Sequence, residues 1–439
     1  MEELVFQYPL RKLGQFDLPE PIRDYKINKR ERNILRELAY KKAQIASLPI
    51  HKEKIKLWKD LNSLSDTSQR PLVWINEVPW HELNYNDELT LKTNSTFARF
   101  LETRLRRTIY LWEHMPVDSI IESTMPCYPV VDDTGFGISE QVKISKTDDN
   151  SEIYSRQYSR QIKGEEDLGK IRIPAVYLHK EETDKMFHSM SSVFDGIIKV
   201  EKKGIPGFWF APWDELIRWW GVEDALSDMI LRPKLVHKVM ERLTDAYLKQ
   251  LDQYEEQGLL ALNNSNYRIG SGGLGYTDEL PRHDFNPDHI RAKDIWGCGA
   301  AQIFSGVSPA MHEEFALQYE IKYMARFGLN YYGCCEPLDK KIDMLRKIPN
   351  LRKISISPWA DLTNSADKIG KDFVISYKPS PSFFASDNWD LDVMRNNLKK
   401  DLSKIKNCKV EVIMKDVSTL KYKPQRLWDW AKMAMEVVQ

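Results

Sequence analysis

The chain has 439 residues with 64 Lys and Arg against 64 Asp and Glu, so it carries no net positive field to hold a nucleic-acid backbone or an anionic membrane surface. Hydrophobic residues make up 42%, enough for a large core, yet no stretch approaches the ~18 uninterrupted apolar residues that span a bilayer. The five cysteines are an odd number and two are adjacent, Cys334 and Cys335, which suits free thiols or metal ligands in a reducing compartment better than a disulfide framework. The opening MEELVFQYPLRK lacks the apolar run of a secretory signal, so a cytoplasmic location is expected.

Read from the N-terminus, NKRERNILRELAYKKAQIASL places Ile34, Leu35, Leu38, Ala39, Ala43, Ile45 and Ala46 close to i, i+3, i+4, i+7 spacing and predicts an amphipathic helix. Pro49 stops it, and KEKIKLWKDLNSL starts a second on Ile55, Leu57, Trp58 and Leu61. RPLVWINEVPW reads as a short extended run, and residues 95 to 114, with a Ser/Thr cap, as a third helix. Beyond it, β-branched and aliphatic runs alternate with helical patterns, the signature of βα units and a parallel sheet. Strands are predicted at 119 to 124, 175 to 179, 196 to 201, 207 to 212, 259 to 263, 300 to 304, 328 to 334, 352 to 357, 372 to 377 and 409 to 415. That exceeds eight, so some are excursions. The segment 127 to 172, rich in Asp, Ser, Thr and Gly, is the expected insertion or flexible cover. The expected fold is α/β, a (β/α)8 TIM barrel over residues 96–439 preceded by a helical cap over residues 1–95.

The string G-x-G-x-x-G occurs at Gly270 to Gly275, but turn formers and prolines follow it where a dinucleotide fingerprint needs a helix N-terminus. It reads instead as a flexible loop at a barrel mouth, or as a plain linker. Cys334, Cys335 and Glu336 stand where a strand becomes a loop, on the rim that carries function in a parallel barrel. Two thiols and a carboxylate can ligate zinc, with a remote residue completing the site; two buried cysteines and a capping glutamate are the alternative. His179, Glu201, Asn263, Asp294, Lys378 and Asp416 also end apparent strands, where each fits either a functional group or a satisfied cap. His237 and His312 lie within helices and read as structural, and Cys408 precedes its strand. Phe208, Trp209, Phe210 and Trp213 are expected to wall an apolar pocket for a neutral or aromatic ligand.

The stretch AKDIWGCGAAQIFSGVSPAMHEEFALQYEIKYMARFGLNYYGCCEP resembles the central block of the uroporphyrinogen decarboxylase superfamily: an Asp-x-Trp segment, a Ser-Pro helix start, a Phe-x-x-x-Tyr helix core and a strand ending in a short site motif. ISISPWADL, DFVISYKPSPSFF and VEVIMKDVSTLKYKPQRLWDWAKMA continue the pattern, so the likeness spans about residues 170 to 439. The N-terminal segments look like the cap of the methyltransferase-like branch. The decarboxylases' arginine-bearing segment is not reproduced, since Arg70-Pro71-Leu72-Val73-Trp74 lacks the second arginine. The branch's His-x-Cys zinc motif aligns with Tyr332-Gly333-Cys334, so the histidine is lost, a thiol is kept, and Cys335 and Glu336 are added.

The resemblance implies a zinc-dependent methyltransferase moving a methyl group between a small substrate, such as a methoxylated aromatic, and a separate corrinoid protein that carries the cobalamin. Cys334, Cys335 and Glu336 would be the metal ligands, with His179, Glu201 or Asp416 as compensating ligands. Asp294, Lys378 and Asp416 would be catalytic, and His179, Trp209, Asn263, Trp296 and Tyr332 would bind substrate. Two other readings stay open: a metal-independent lyase of the decarboxylase type using Asp294, Lys378 and Asp416, and a non-catalytic ligand-binding barrel. A homodimer is an open possibility for the assembly.

Overall fold

The computed structural model describes residues 22, 24–65, 70–145 and 155–439, together with the short strands Leu10–Leu13 and Phe16–Asp17. Its centre is a parallel sheet of seven strands: β1 (Leu72–Ile75), β2 (Trp209–Phe210), β3 (Trp296–Gly299), β4 (Leu329–Tyr332), β5 (Leu351–Ile356), β6 (Val374–Tyr377) and β7 (Lys409–Met414). The order across the sheet is β2, β3, β4, β5, β6, β7, β1. A parallel ladder needs a crossover between neighbours, and helices such as Leu362–Ile369, between β5 and β6, and Leu391–Lys404, between β6 and β7, supply them.

Alternation along the strands gives the sheet two unlike faces. Val73, Tyr332, Ile354, Ile375, Tyr377, Val412 and Met414 pack outward into one apolar core shared with the helix Gln425–Val438. The opposite set is different: Lys353 and Ser355 on β5, Val374 and Ser376 on β6, Glu411 on β7 and Tyr331 on β4 are all buried, and most are polar. They are covered by the glycine segment 270 to 275, which is itself buried throughout. An added Cβ at Gly272 would lie 2.4 Å from Glu411 Oε1 and 2.6 Å from the Tyr331 ring, and one at Gly273 would lie 2.2 Å from Trp58. The segment's glycines thus let backbone lie directly on the sheet. It is a packed inner layer, which corrects the expectation of a flexible loop at a mouth.

The pairing also revises other expectations. β1 pairs with β7, so residues 72 to 75, expected in the N-terminal cap, belong to the central sheet. The run at 300 to 304 is not a strand; the strand is the preceding Trp296–Gly299, followed by a 3-10 turn at Gln302–Gly306. Val176–Leu178 pairs antiparallel with Val130–Asp133, outside the parallel sheet. Thr124–Cys127 and Lys199–Lys202 form a parallel pair of their own, and Ile205 and Leu260 make an isolated parallel bridge. The expected insertion contributes short strands, among them Val130–Asp133 and Val142–Ser145.

The three N-terminal helices form as their periodicity predicts, at Lys29–Ala46, Ile50–Asn62 and Thr96–His114. Asn28 and Glu31 close a capping box on the first. The same Glu31 carboxylate accepts hydrogen bonds from the Asn94 and Ser95 backbone, so it locks the start of the third helix to the start of the first. Among the described residues no helix is long and apolar enough to cross a membrane.

Candidate functional site

Four of the parallel strands deliver side chains to one place just beyond their carboxyl ends, the end at which parallel α/β sheets carry their sites. β4 leads into Gly333, Cys334 and Cys335; β6 into Lys378; β7 into Lys415 and Asp416; β1 into Glu77. The local backbone is unusual. Glu77 and Asp416 both have positive φ, 52° and 56°, although neither is glycine, and such strained positions cluster at functional sites. Gly333 has φ 95°, and a Cβ there would lie 2.5 Å from Leu338, so glycine is required where β4 turns into the cysteine pair.

The cysteine loop is held from three directions. The Cys334 backbone N–H donates to Glu336 Oε2 at 2.9 Å, and Ser355 Oγ donates to the Cys334 carbonyl at 2.6 Å. The Lys415 ammonium lies 3.2 Å from Cys334 Sγ and 3.7 Å from Cys335 Sγ. The two sulfurs are 3.5 Å apart, and Cys335 also reaches Asp416 Oδ2 at 3.4 Å. Lys415 contacts Glu77 at 3.4 Å and Asp416 at 3.2 Å, and Arg268 closes the network on Glu77 at 2.8 Å. Below them the Lys378 ammonium sits 2.5 Å from Ser355 Oγ and 3.0 Å from the Tyr331 hydroxyl, which in turn donates to Ser376 and meets Ser271 of the glycine segment at 3.0 Å.

Charge follows from this geometry. The Cys335 hydrogen bond draws the Cys334 thiol down to about 7, against burial and with help from Lys415 and Lys378. Its neighbour goes the other way: the hydrogen bond to Cys334, burial and the charge on Cys334 hold the Cys335 thiol well above the usual range. Burial alone would discharge Lys415, but Cys334, Glu77, Cys335 and Asp416 outweigh it and keep the ammonium charged. Burial likewise pushes Glu77 up, yet Lys415, the Asp416 hydrogen bond and Arg268 hold it at about 2. Asp416 is raised by burial and by sharing a hydrogen bond with Glu77, so these carboxyls divide into one that stays charged and one that holds its proton more tightly.

Behind the cysteine loop lies a second polar group, wholly buried. His312 Nε2 is 2.8 Å from the Tyr332 hydroxyl, which donates to Glu320 Oε2 at 2.8 Å. Burial drives His312 down to about 3, Glu320 up to about 8 and Asp214 up to about 6, and brings Lys341 down to about 8 despite the charges of Glu336 and Glu320. A π-turn at Glu313–Leu317 follows His312, an irregularity often found at functional sites.

Of the residues expected from sequence, Cys334, Cys335, Glu336, Lys378 and Asp416 are brought together. The others are not. Asp294 precedes β3, at the amino end of the sheet, where it is buried and accepts from Arg291 at 2.7 Å and from the Arg282 backbone. His179 bonds Asp132 at 2.7 Å in the antiparallel sheet. Asn263 staples backbone, donating to the Pro206 and Trp296 carbonyls and accepting from the Trp296 N–H. Trp296 donates its indole N–H to the Gly275 carbonyl, fixing the glycine segment. Tyr332 points to the rear cluster, while Tyr331, one residue earlier, faces the site. Trp209 packs against the inner cluster of Ile269, Trp296 and Tyr331, but Phe210 stacks on Tyr323 and Trp213 packs on Phe304 in the core, so these last two wall no pocket. Glu201 pairs with Lys199 at 3.1 Å.

Sequence reading missed Lys415 and Glu77. The strand KVEVIMK carried a signal for the first, because Glu411, Ile413 and Lys415 share one face by alternation.

The donor atoms of the cysteine loop are already engaged within the protein. Glu336 is completely buried and turns one carboxylate oxygen back to the Cys334 N–H, while Lys415 takes the position beside the Cys334 sulfur that a second cation would need. As arranged, the trio does not fit a zinc ion, and no group of three or more His, Cys, Asp or Glu side chains among the described residues is placed to hold a metal.

No protein-family profile and no curated protein matches the chain. Among solved structures it is similar to a methyltransferase from Methanosarcina mazei, with 10% sequence identity, a TM-score of 0.47, and 87% of this chain covered against 97% of that one.

Proposed function

We propose that the chain is a methyltransferase built on a (β/α)8 frame, moving a methyl group between a small substrate and a corrinoid protein. One observation carries the choice of site: Cys334, Lys378, Lys415 and Asp416 converge at the carboxyl ends of neighbouring parallel strands around a thiol drawn to about 7. The resemblance of residues 170 to 439 to the uroporphyrinogen decarboxylase superfamily, and of the N-terminal segments to the cap of its methyltransferase-like branch, supports the reaction class and the corrinoid partner. Cys334 is the general acid and base, because a group with pKa near the working pH exchanges protons best in both directions. When a methyl ether is the donor, the reduced corrinoid of the partner protein would supply the electron pair that takes the methyl group, the C–O bonding pair stays on the oxygen, and the Cys334 proton neutralises it. The thiolate left behind is held by Lys415. Lys378, fixed by Ser355 and Tyr331, adds positive charge where the oxygen becomes anionic. A metal-free lyase using Asp294, Lys378 and Asp416 is disfavoured, since Asp294 lies at the opposite end of the sheet.

The test is release of free phenol from methoxylated aromatics in the presence of a reduced corrinoid protein, followed across neutral pH. Cys334→Ser is expected to lower the rate by about 10²–10⁴-fold and to remove a limb near pH 7; Lys415→Met should move that limb upward. A Cys334→Ser rate equal to wild type, or methyl ethers left intact by wild type with the corrinoid protein present, overturns the reading. Zinc content of the same protein decides between a lysine-paired thiolate and the metal-bound one implied by the resemblance.

A further inference from the structure

Adjacent residues in a strand point to opposite faces, so two neighbouring cysteines do not normally share a ligand. Here they do. The positive φ of Gly333 and the hydrogen bonds from Ser355 Oγ to the Cys334 carbonyl and from the Cys334 N–H to Glu336 bend the chain and bring both sulfurs to one side, 3.5 Å apart. Cys334 is the inner thiol, 8% exposed, and Cys335 is the more open one, so the pair is reached from the mouth of the site. Lys415 lies over both sulfurs and offsets the negative charge of a thiolate. The remaining cysteines lie elsewhere: Cys298 is on β3, Cys408 precedes β7, and Cys127 ends a strand outside the central sheet.

Two sulfurs held 3.5 Å apart with no third thiol beside them suit a soft centre that binds two sulfurs and keeps a substituent of its own. We propose that Cys334 and Cys335 form a dithiol site for trivalent arsenic carrying one organic group. As the dihydroxide, the arsenical loses two As–OH bonds and gains two As–S bonds; each departing hydroxide takes one thiol proton and leaves as water, and no electron is transferred. The proposal rests on sulfur geometry and not on methyl transfer, so either reading stands if the other fails.

The experiment uses the full chain, reduced beforehand, titrated with phenylarsine oxide. Wild type should lose two reagent-accessible thiols per phenylarsenic bound, with one adduct by intact mass. Peptide mapping should place that adduct across Cys334 and Cys335. A dithiol such as 2,3-dimercaptopropanol should reverse it, and an excess of monothiol should not. Cys334→Ser and Cys335→Ser should each weaken binding by about 100-fold or more, because the second bond is then no longer intramolecular, whereas Cys408→Ser should bind as wild type. An adduct bridging any other cysteines, one reversed by monothiol, or either serine variant binding undiminished overturns the proposal. The mapping on wild type decides the matter even where a serine variant fails to fold.

Discussion

Two lysines point from the same side of the sheet toward anions, and they have opposite fates. Lys353, low on β5, pairs with Glu411 of β7 at 2.8 Å with both side chains fully buried. Glu411 also accepts from the Gly273 N–H at 3.1 Å, and Lys353 lies 5.5 Å from the Trp58 ring and 5.7 Å from the Trp296 ring. One cation meets one anion there, under a lid of backbone. At the carboxyl end, Lys415 meets Cys334, Cys335, Glu77 and Asp416 at once, and the two carboxylates are open to water, with side chains 41% and 47% exposed. A closed, balanced pair makes architecture; an over-supplied lysine beside water leaves one partner, Cys334, with a proton it can exchange near neutrality.

Stability separates the two lysines most clearly. Glu411→Ala strands the Lys353 ammonium in the interior and should cost about 3–5 kcal/mol, read from urea unfolding. Lys415→Met should cost less than that, because the carboxylates it leaves have access to water on one side, with side chains 41% and 47% exposed. Equal losses would mean that the mouth is as structural as the floor. The lid comes next. Gly272→Ala forces a methyl group to within 2.4 Å of Glu411 Oε1, an overpacking worth roughly 1–3 kcal/mol, in the same unfolding assay. A neutral result there would show that the segment is loose rather than packed.

On reactivity the order inverts. A small alkylating agent at pH 7 should label Cys334 ahead of Cys335, although Cys335 is the more exposed, because only Cys334 has an appreciable thiolate fraction. Lys415→Met should slow labelling of Cys334 by about fivefold, the fall in thiolate fraction at pH 7 when a pKa of about 7 rises by one unit, as measured by peptide mass spectrometry. Preferential labelling of Cys335 would show that access, not charge, governs the pair.

What was readable in the sequence divides along physical lines. Long periodic helices and the aliphatic strands β4 to β7 announce themselves, because burial on a regular period needs no knowledge of partners. β3 escaped because Trp-Gly-Cys-Gly has little strand propensity and is held by its neighbours. β1 was visible as an extended run, but nothing local says that it pairs with β7, more than three hundred residues away. At the site, Cys334, Cys335, Lys378 and Asp416 stood out as polar groups ending strands, and Asp294 stood out equally, since a sequence does not show which end of which strand is meant. Lys415 ends the strand pattern KVEVIMK and reads as part of it, whereas Asp416 beside it reads as a polar strand end, and Glu77 lies in a segment whose sequence points to the cap. Tyr332 was preferred to Tyr331, a difference of one residue that changes the face entirely.

The rear cluster is closed like the floor yet incompletely paired: His312 Nδ1, Glu320 Oε1 and Glu336 Oε1 are buried without a hydrogen-bond partner. Glu320, raised from 4.5 to about 8, holds a proton in the folded chain that the unfolded chain releases, so across that window it makes stability fall as pH rises. His312, lowered from 6.5 to about 3, refuses a proton that the unfolded chain accepts, so across its window it makes stability fall as pH drops. Between 4.5 and 6.5 the two slopes oppose each other, and between 6.5 and 8 Glu320 acts without His312. Glu320→Gln keeps the hydrogen bond with Tyr332 and removes only the titration. Unfolding midpoints measured through these windows should therefore lose their decline from pH 6.5 to 8 in the variant and gain a rise from 4.5 to 6.5. Each change should amount to no more than about 1.4 kcal/mol per pH unit. Asp214 and Lys341 titrate in both proteins, and the charge of Glu320 helps Lys341 keep its proton, so the difference between the two profiles reports Glu320 together with its effect on Lys341, and parallel profiles would mean that its carboxyl ionises as an ordinary, solvated one does.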